Sequence, residues 1–343
     1  MRRHKIAILI CLTVVQLAVA KNPTARELLD KYAATVDRCL GSFATKGEFV
    51  MDTKWKHVLN PNVKAGRYTS YTKKDFRYDG HRTRYIGYKW GDVGYRKIPK
   101  ENPIINSDII NTEYRASYSR QQDKPSVIKC HKKPLDPEKV QRKLALAWVG
   151  AAAFGFFASE ARIDTVLRGC GNAAVRKQTE QVDESNCYVI DADTKYGRYT
   201  VWIDLKHGYN LKRMRSIQEQ GDRVGRRILP QGYKGVRVLT NMAFKQVDGV
   251  WIPTEFIYEA DVVYPAQYEM TGQTHGKITE FLINPDHEAL RSFELDDYHD
   301  GSTVIYFEND RSLSGRYVWK DGKVVDDKGR VVFDPKSKKP SRR

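Results

Sequence analysis

Two groups of residues in this 343-residue chain have the types and spacing to do chemistry. The first is an acidic stretch, Asp286-His287-Glu288 continuing to Asp296, Asp297, His299 and Asp300. Carboxylates and imidazoles are the ligands that divalent cations take. Their spacing here matches no metal-binding loop, and Asp300-Gly301 is turn chemistry. The stretch therefore reads as a solvated surface loop, and no metal is expected. The second group is the cysteines Cys39, Cys130, Cys170 and Cys187. Cys39 or Cys187 could serve as a nucleophile with His131 or His275 as base, but that requires a lowered thiol pKa and a partner in space. No Cys-x-x-Cys occurs, which argues against a zinc ribbon or a thioredoxin-like site. Four cysteines fit two disulfides with three possible connectivities, and Cys170–Cys187, closing a short loop, is the first pairing to expect. The nucleophile elbow, the P-loop, the dinucleotide fingerprint and His-Glu-x-x-His are all missing from the sequence. No cofactor is implied, and the chain reads as non-enzymatic.

Disulfides need an oxidising compartment, and the N-terminus predicts one. Met1-Arg-Arg-His-Lys5 is a positive leader start, Ile6 to Val19 is apolar apart from Thr13 and Gln16, and Ala18-Val19-Ala20 offers small residues for cleavage. Residues 1–20 are thus expected to be a signal peptide, with a periplasmic or secreted chain beginning at Lys21. Ile10 before Cys11 does not make a lipobox. The chain carries a formal charge of +17, which favours anionic partners such as lipid headgroups. The pairs Arg67-Tyr68, Arg84-Tyr85 and Arg198-Tyr199 could stack on a nucleic-acid strand, yet alternating basic and aromatic residues is what a half-buried strand looks like. No nucleic-acid partner is expected. Residues 334–343 read as a basic disordered tail.

These residues must be held by some framework. Thr24-Ala-Arg-Glu27 is a capping box, and Leu28, Leu29, Tyr32, Val36 and Leu40 recur at helical spacing, predicting a helix over 24–38. From Ser42 the period becomes two, and Asp79-Gly80 lies between aromatic-rich runs, a hairpin signal. Residues 92–112 look like a loop. A helical insertion is predicted over 136–168, containing the uncharged run Leu144–Ala158, either a buried core helix or a mobile apolar flap. Strands return from Tyr188 to Trp319, separated by turn signals at Gly197, Gly208, Gly249 and Gly322. The fold class expected is α+β, mostly β: one large curved antiparallel sheet or incomplete β-barrel with covering helices, forming a single domain over 21–333.

Several phrases carry a family resemblance: Ala25-Arg-Glu-Leu-Leu-Asp-Lys-Tyr32, Asp75-Phe-Arg-Tyr-Asp-Gly80, Tyr199-Thr-Val-Trp-Ile-Asp-Leu-Lys-His-Gly-Tyr209 and Val247-Asp-Gly-Val-Trp-Ile-Pro253. In layout, over roughly residues 24–310, the chain resembles the outer-membrane lipoprotein-sorting (LolA/LolB-like) superfamily, in particular its long planctomycete-type members. The resemblance implies a curved half-barrel with a helical lid over an apolar cavity that holds lipid or lipoprotein acyl chains. On that reading Leu28, Tyr32 and Val36 face Trp148, Phe154, Phe156 and Phe157 across the cavity, with Tyr78, Tyr85, Trp202 and Trp251 contributed by the sheet. Basic residues at the rim would steer the protein to anionic membranes. Two alternatives stand beside this: an envelope interaction or scaffold protein with a filled interior, and an exported enzyme on an anionic polymer using the 286–300 stretch.

Overall fold

The structure, a computed structural model, describes residues 22–56, 59, 65–93, 96–121, 127–132, 149–156, 161–225, 227–265, 267–295, 298–308, 311–313 and 315–336. The expected signal peptide, Trp148, Phe157, Asp296, Asp297 and residues 337–343 of the basic tail lie outside these.

Helix α1 spans Ala25–Leu40. Its first turn is closed reciprocally: the Glu27 amide donates to Thr24 Oγ1 at 3.2 Å, and the Thr24 amide donates to Glu27 Oε2 at 2.7 Å. Leu28, Leu29, Tyr32, Val36 and Cys39 form its buried stripe, as the 3.6-residue period demands.

Among the described residues one sheet of 20 strands follows. The early strands are β1 (Phe43–Lys56), β2 (Gly66–Tyr78), β3 (Thr83–Val93), β4 (Arg96–Ile98), β5 (Ile104–Ile110), β6 (Arg115–Arg120) and β7 (Val127–His131). Later in the chain come β8 (Ala174–Val175), β9 (Glu180–Val182), β10 (Ser185–Thr194), β11 (Gly197–Asp204) and β12 (Asn210–Glu219). The ribbon β13 (Arg223–Val224) and β14 (Arg227–Ile228) stands apart, and the long strands β15 (Lys234–Val247), β16 (Val250–Tyr264) and β17 (Tyr268–Ile283) complete the wall. The C-terminal pieces are β18 (Thr303–Glu308), β19 (Arg311–Ser312), β20 (Tyr317–Lys320), β21 (Lys323–Val325) and β22 (Val331–Phe333).

In space the main strands run β10-β11-β12-β15-β16-β17-β1-β2-β3-β5-β6-β7-β18-β20-β21-β22. Each neighbouring pair is antiparallel except β7–β18. The sheet is curved but not closed, so the expected class holds. The Asp79-Gly80 hairpin forms as its sequence dictates: Gly80 takes φ +93° and Asp79 Oδ1 accepts the amides of His81 and Arg82. Residues 92–112 contain β4 and β5 rather than a loop, because Ile104, Ile109 and Ile110 gain cross-strand partners in β3 and β6 that outweigh the breakers around them.

The sheet carries separate cores on its two faces. On the inner face α1, a 3-10 turn (Val149–Phe154) and helix α2 (Ile163–Arg168) pack on β10–β12, β15–β17, the start of β1 and the end of β2. On the outer face the C-terminal strands cover β5–β7 through Ile128, Cys130, Tyr306, Trp319 and Val324. The described part of the Leu144–Ala158 run is thus a 3-10 turn, not an α-helix. It ends at Gly155 (φ +79°), where a Cβ would lie 2.1 Å from the Tyr32 hydroxyl, so only glycine passes.

Candidate functional site: the helical plug and its lateral groove

Five of the predicted ligand contacts meet. Leu28, Tyr32, Val36 and Phe154 have no exposed surface, and Tyr78 is nearly buried with them. Phe43 is the hub: its ring lies 5.4 Å from Phe281, 5.7 Å from Phe76 and 5.9 Å from Tyr78, while Phe154 stacks on Phe281 at 5.7 Å. The Tyr32 hydroxyl donates to the Phe154 carbonyl at 2.9 Å. Tyr85 and Phe156 pack at the margin of this cluster. Among the described residues these side chains pack against one another between α1 and the sheet.

Trp202 and Trp251 are not part of it. Val201 and Ile203, and Val250 and Ile252, face the plug, and strand alternation turns the intervening tryptophans to the other face. There the Trp202 indole donates to Glu180 Oε2 at 2.8 Å beneath the Arg213 guanidinium. Trp251 meets the edge of His207 with ring centroids 4.8 Å apart. His207 Nδ1 lies 2.6 Å from Asp204 Oδ2, but the other oxygen of that carboxylate accepts the Lys206 amide, so this Asp–His pair closes a turn.

The cysteines are free thiols rather than disulfides. Cys39 lies on α1, Cys130 in the outer core, and Cys187 beside Val189 and Trp202 on the face away from α1. Cys170 follows α2 and only packs against the inner core. Distribution over different elements and faces is why the even count did not become pairs. Burial pushes the thiols of Cys39, Cys130 and Cys187 up to about 12, which leaves no thiolate for nucleophilic work.

Among the described residues the acidic stretch is the surface loop its sequence suggested, with Asp286, Glu288, His299 and Asp300 exposed, and His287 is the exception. Asp286 Oδ1 accepts the amides of Glu288 and Ala289, Glu288 pairs with Arg82 at 3.0 Å, and Asp300 accepts the Asp321 amide. His287 is buried, its Nε2 3.1 Å from the Tyr78 carbonyl and its Nδ1 2.9 Å from Ser292 Oγ. A carbonyl only accepts, so Nε2 carries the proton and Nδ1 accepts from the Ser292 hydroxyl. Among the described residues no three His, Cys, Asp or Glu side chains converge to hold a metal.

The feature that sequence reasoning missed is a carboxylate shared by two arginines. Asp164 on α2 is 1% exposed and accepts Arg162 Nε at 2.5 Å and Arg168 Nη1 at 3.0 Å. Arg162 continues to Asp37, and Arg168 reaches Asp30 and the Leu29 carbonyl, both at 2.9 Å. The Arg-x-Asp and Asp-x-x-x-Arg spacing was visible, but its reach to α1 was not. These bonds fix α2 against α1 and leave a lateral groove of about 620 Å³. Leu29 and Leu167 floor it, Ala25, Gly171 and Ala173 wall it, and Arg26, Asp30 and Arg168 stand at its rim. The groove opens beside the plug, not beneath it.

Together the fold and site define a β-barrel-like protein, an open coiled sheet filled at one end by helices. No protein-family profile matches the sequence, and no curated protein does. Among the solved structures that are similar in part are three of low identity. A β-barrel-like protein of the domain of unknown function DUF1849 from Brucella abortus is 10% identical, over 72% of this chain and 99% of that one, with a TM-score of 0.24. The outer-membrane protein Omp33 of Acinetobacter baumannii is 6% identical, over 69% and 99%, at 0.20. The ywiB protein of Bacillus subtilis is 4% identical, over 69% and 94%, at 0.18. Scores this low carry no argument about fold or function, which rest on the sheet itself.

Proposed function

We propose that this chain is an exported, non-enzymatic binding protein for lipids or other amphiphiles, of the lipoprotein-carrier type, and that the acyl chain lies in the lateral groove between α1 and α2. The observation that carries the reading is the groove: about 620 Å³, with an apolar floor and arginines at the rim. That volume falls within the range of small-molecule sites, and burying a methylene contributes about 0.8 kcal/mol. An anionic headgroup would rest toward Arg26 and Arg168. The leader-like N-terminus, the sequence resemblance and the absence of any catalytic motif favour this over an enzyme. A second reading, an envelope interaction protein, is favoured by the solid packing beneath α1.

The test is uptake of a fluorescent fatty acid by delipidated protein, with native mass spectrometry to detect lipid that co-purifies. Ala173→Trp fills the groove and is expected to reduce uptake by about tenfold or more. Uptake unaffected by that substitution would remove the groove as the site. No uptake by the wild-type chain would leave the interaction-protein reading.

A further inference from the structure

The outer face of the sheet is covered by the C-terminal strands over β5–β7, but over β1–β3 an aromatic strip is left uncovered by the described residues. Register places Val50, Tyr71 and Trp90 side by side on three consecutive strands. The rings of Tyr71 and Trp90 stack with centroids 5.7 Å apart at 8°, and Tyr88 is the next outward residue along β3. Val50, Tyr71 and Tyr88 are 37%, 38% and 40% exposed. Isolated exposed apolar residues are ordinary, whereas a contiguous strip calls for an occupant.

The composition of the strip and its flanks selects one. Tyr and Trp, each with an apolar body and a polar tip, suit a boundary between water and hydrocarbon. Glu48 and Asp52 on this face are engaged by Lys73 and Arg67. Lys54 on β1 and Lys97 on β4 are exposed, as is Lys100 just beyond β4; Lys97 lies opposite Asp92, whose carboxylate accepts the Thr69 amide, and none of the three lysines forms an ion pair among the described residues. An aromatic strip with surplus cations is complementary to an anionic lipid surface, where each nearby Lys or Arg contributes about 1 kcal/mol.

We propose that the outer face of β1–β3 docks the protein on anionic phospholipid bilayers. This rests on the amphiphile-binding reading, since it supplies the surface from which the groove would load. The test is flotation with phosphatidylglycerol-containing vesicles and with phosphatidylcholine-only vesicles. Wild-type protein is expected to float with the former, less so as salt rises. Tyr71→Ser with Tyr88→Ser, and separately Lys97→Glu with Lys100→Glu, are each expected to lower binding by about tenfold or more, with thermal midpoint and fatty-acid uptake unchanged. Ala173→Trp is expected to lose uptake but keep vesicle binding, which separates failure of the groove from failure of the strip. Vesicle binding that is missing in the wild type, or as strong in either double variant as in the wild type, would overturn the proposal. So would a wild-type dimer that the tyrosine substitutions dissociate, because the strip would then belong to a second copy.

Discussion

His287 shows at the scale of one residue how a polar side chain stitches distant parts of the chain together. Its ring joins the end of β2, through the Tyr78 carbonyl, to Ser42 ahead of β1 and to Ser292 beyond β17. Burial is the largest cause holding its pKa below the usual 6.5. A group with a depressed folded-state basicity takes up its proton first in the unfolded chain. For a histidine this means the stability it contributes is present above about pH 6.5 and falls away as the pH drops below that value. Urea midpoints measured between pH 5 and 7.5 are expected to decline toward acid in the wild type, and less steeply in His287→Gln. Equal slopes would show that His287 is not the group responsible.

At the scale of elements, the plug is held by hydrophobic packing and by one buried carboxylate. Asp164 satisfies two arginines that also reach α1. Removing one partner from such a cluster leaves buried charge uncompensated. Asp164→Asn is therefore expected to cost about 3 kcal/mol in chemical denaturation, whereas Glu280→Gln, which removes only the surface pair with Lys46, is expected to cost under about 1 kcal/mol. A cost for Asp164→Asn as small as that of the surface variant would mean the network does not hold α2. The long strands depend on a different device. A Cβ on Gly276 would lie 2.3 Å from the Phe256 ring, so glycine lets that ring lie flat on the sheet and the sheet coil around it.

At the scale of the whole molecule, a sheet this large has enough core to stand without cross-links. The outer-face core, rather than disulfides, binds the C-terminal strands to the wall. Unfolding midpoints of the chain beginning at Lys21 are expected to be the same with and without a reductant. Thiol titration of the native protein is expected to label Cys170 first, with Cys39, Cys130 and Cys187 reacting only on unfolding, because those three are buried and Cys170 is partly exposed. A reductant-dependent midpoint would restore the disulfide reading.

How far the sequence reached follows from which interactions are local. The Thr24–Glu27 capping box, the stripe on α1 and the Asp79-Gly80 hairpin depend on neighbours within a few residues, and all were legible. The mostly β class followed from alternation repeated along the chain. Tyr32, Val36 and Phe154 could be placed in one cluster because helical stripes and apolar runs must bury themselves. Which way a tryptophan points is a matter of strand phase, and a shift of one residue reverses it. For that reason Trp202 and Trp251 could be singled out but not assigned to a face.

The sequence by itself determined the period of each segment, the turns between them and the surplus of positive charge, since these are written in adjacent residues. Only the tertiary structure decided that Tyr32, Phe43 and Phe154 pack together under α1, that a groove opens beside them, that the four cysteines stay apart and that His287 is buried. Each of these depends on contacts between residues far apart in sequence, and such contacts are fixed by how the strands coil and in what order they pair.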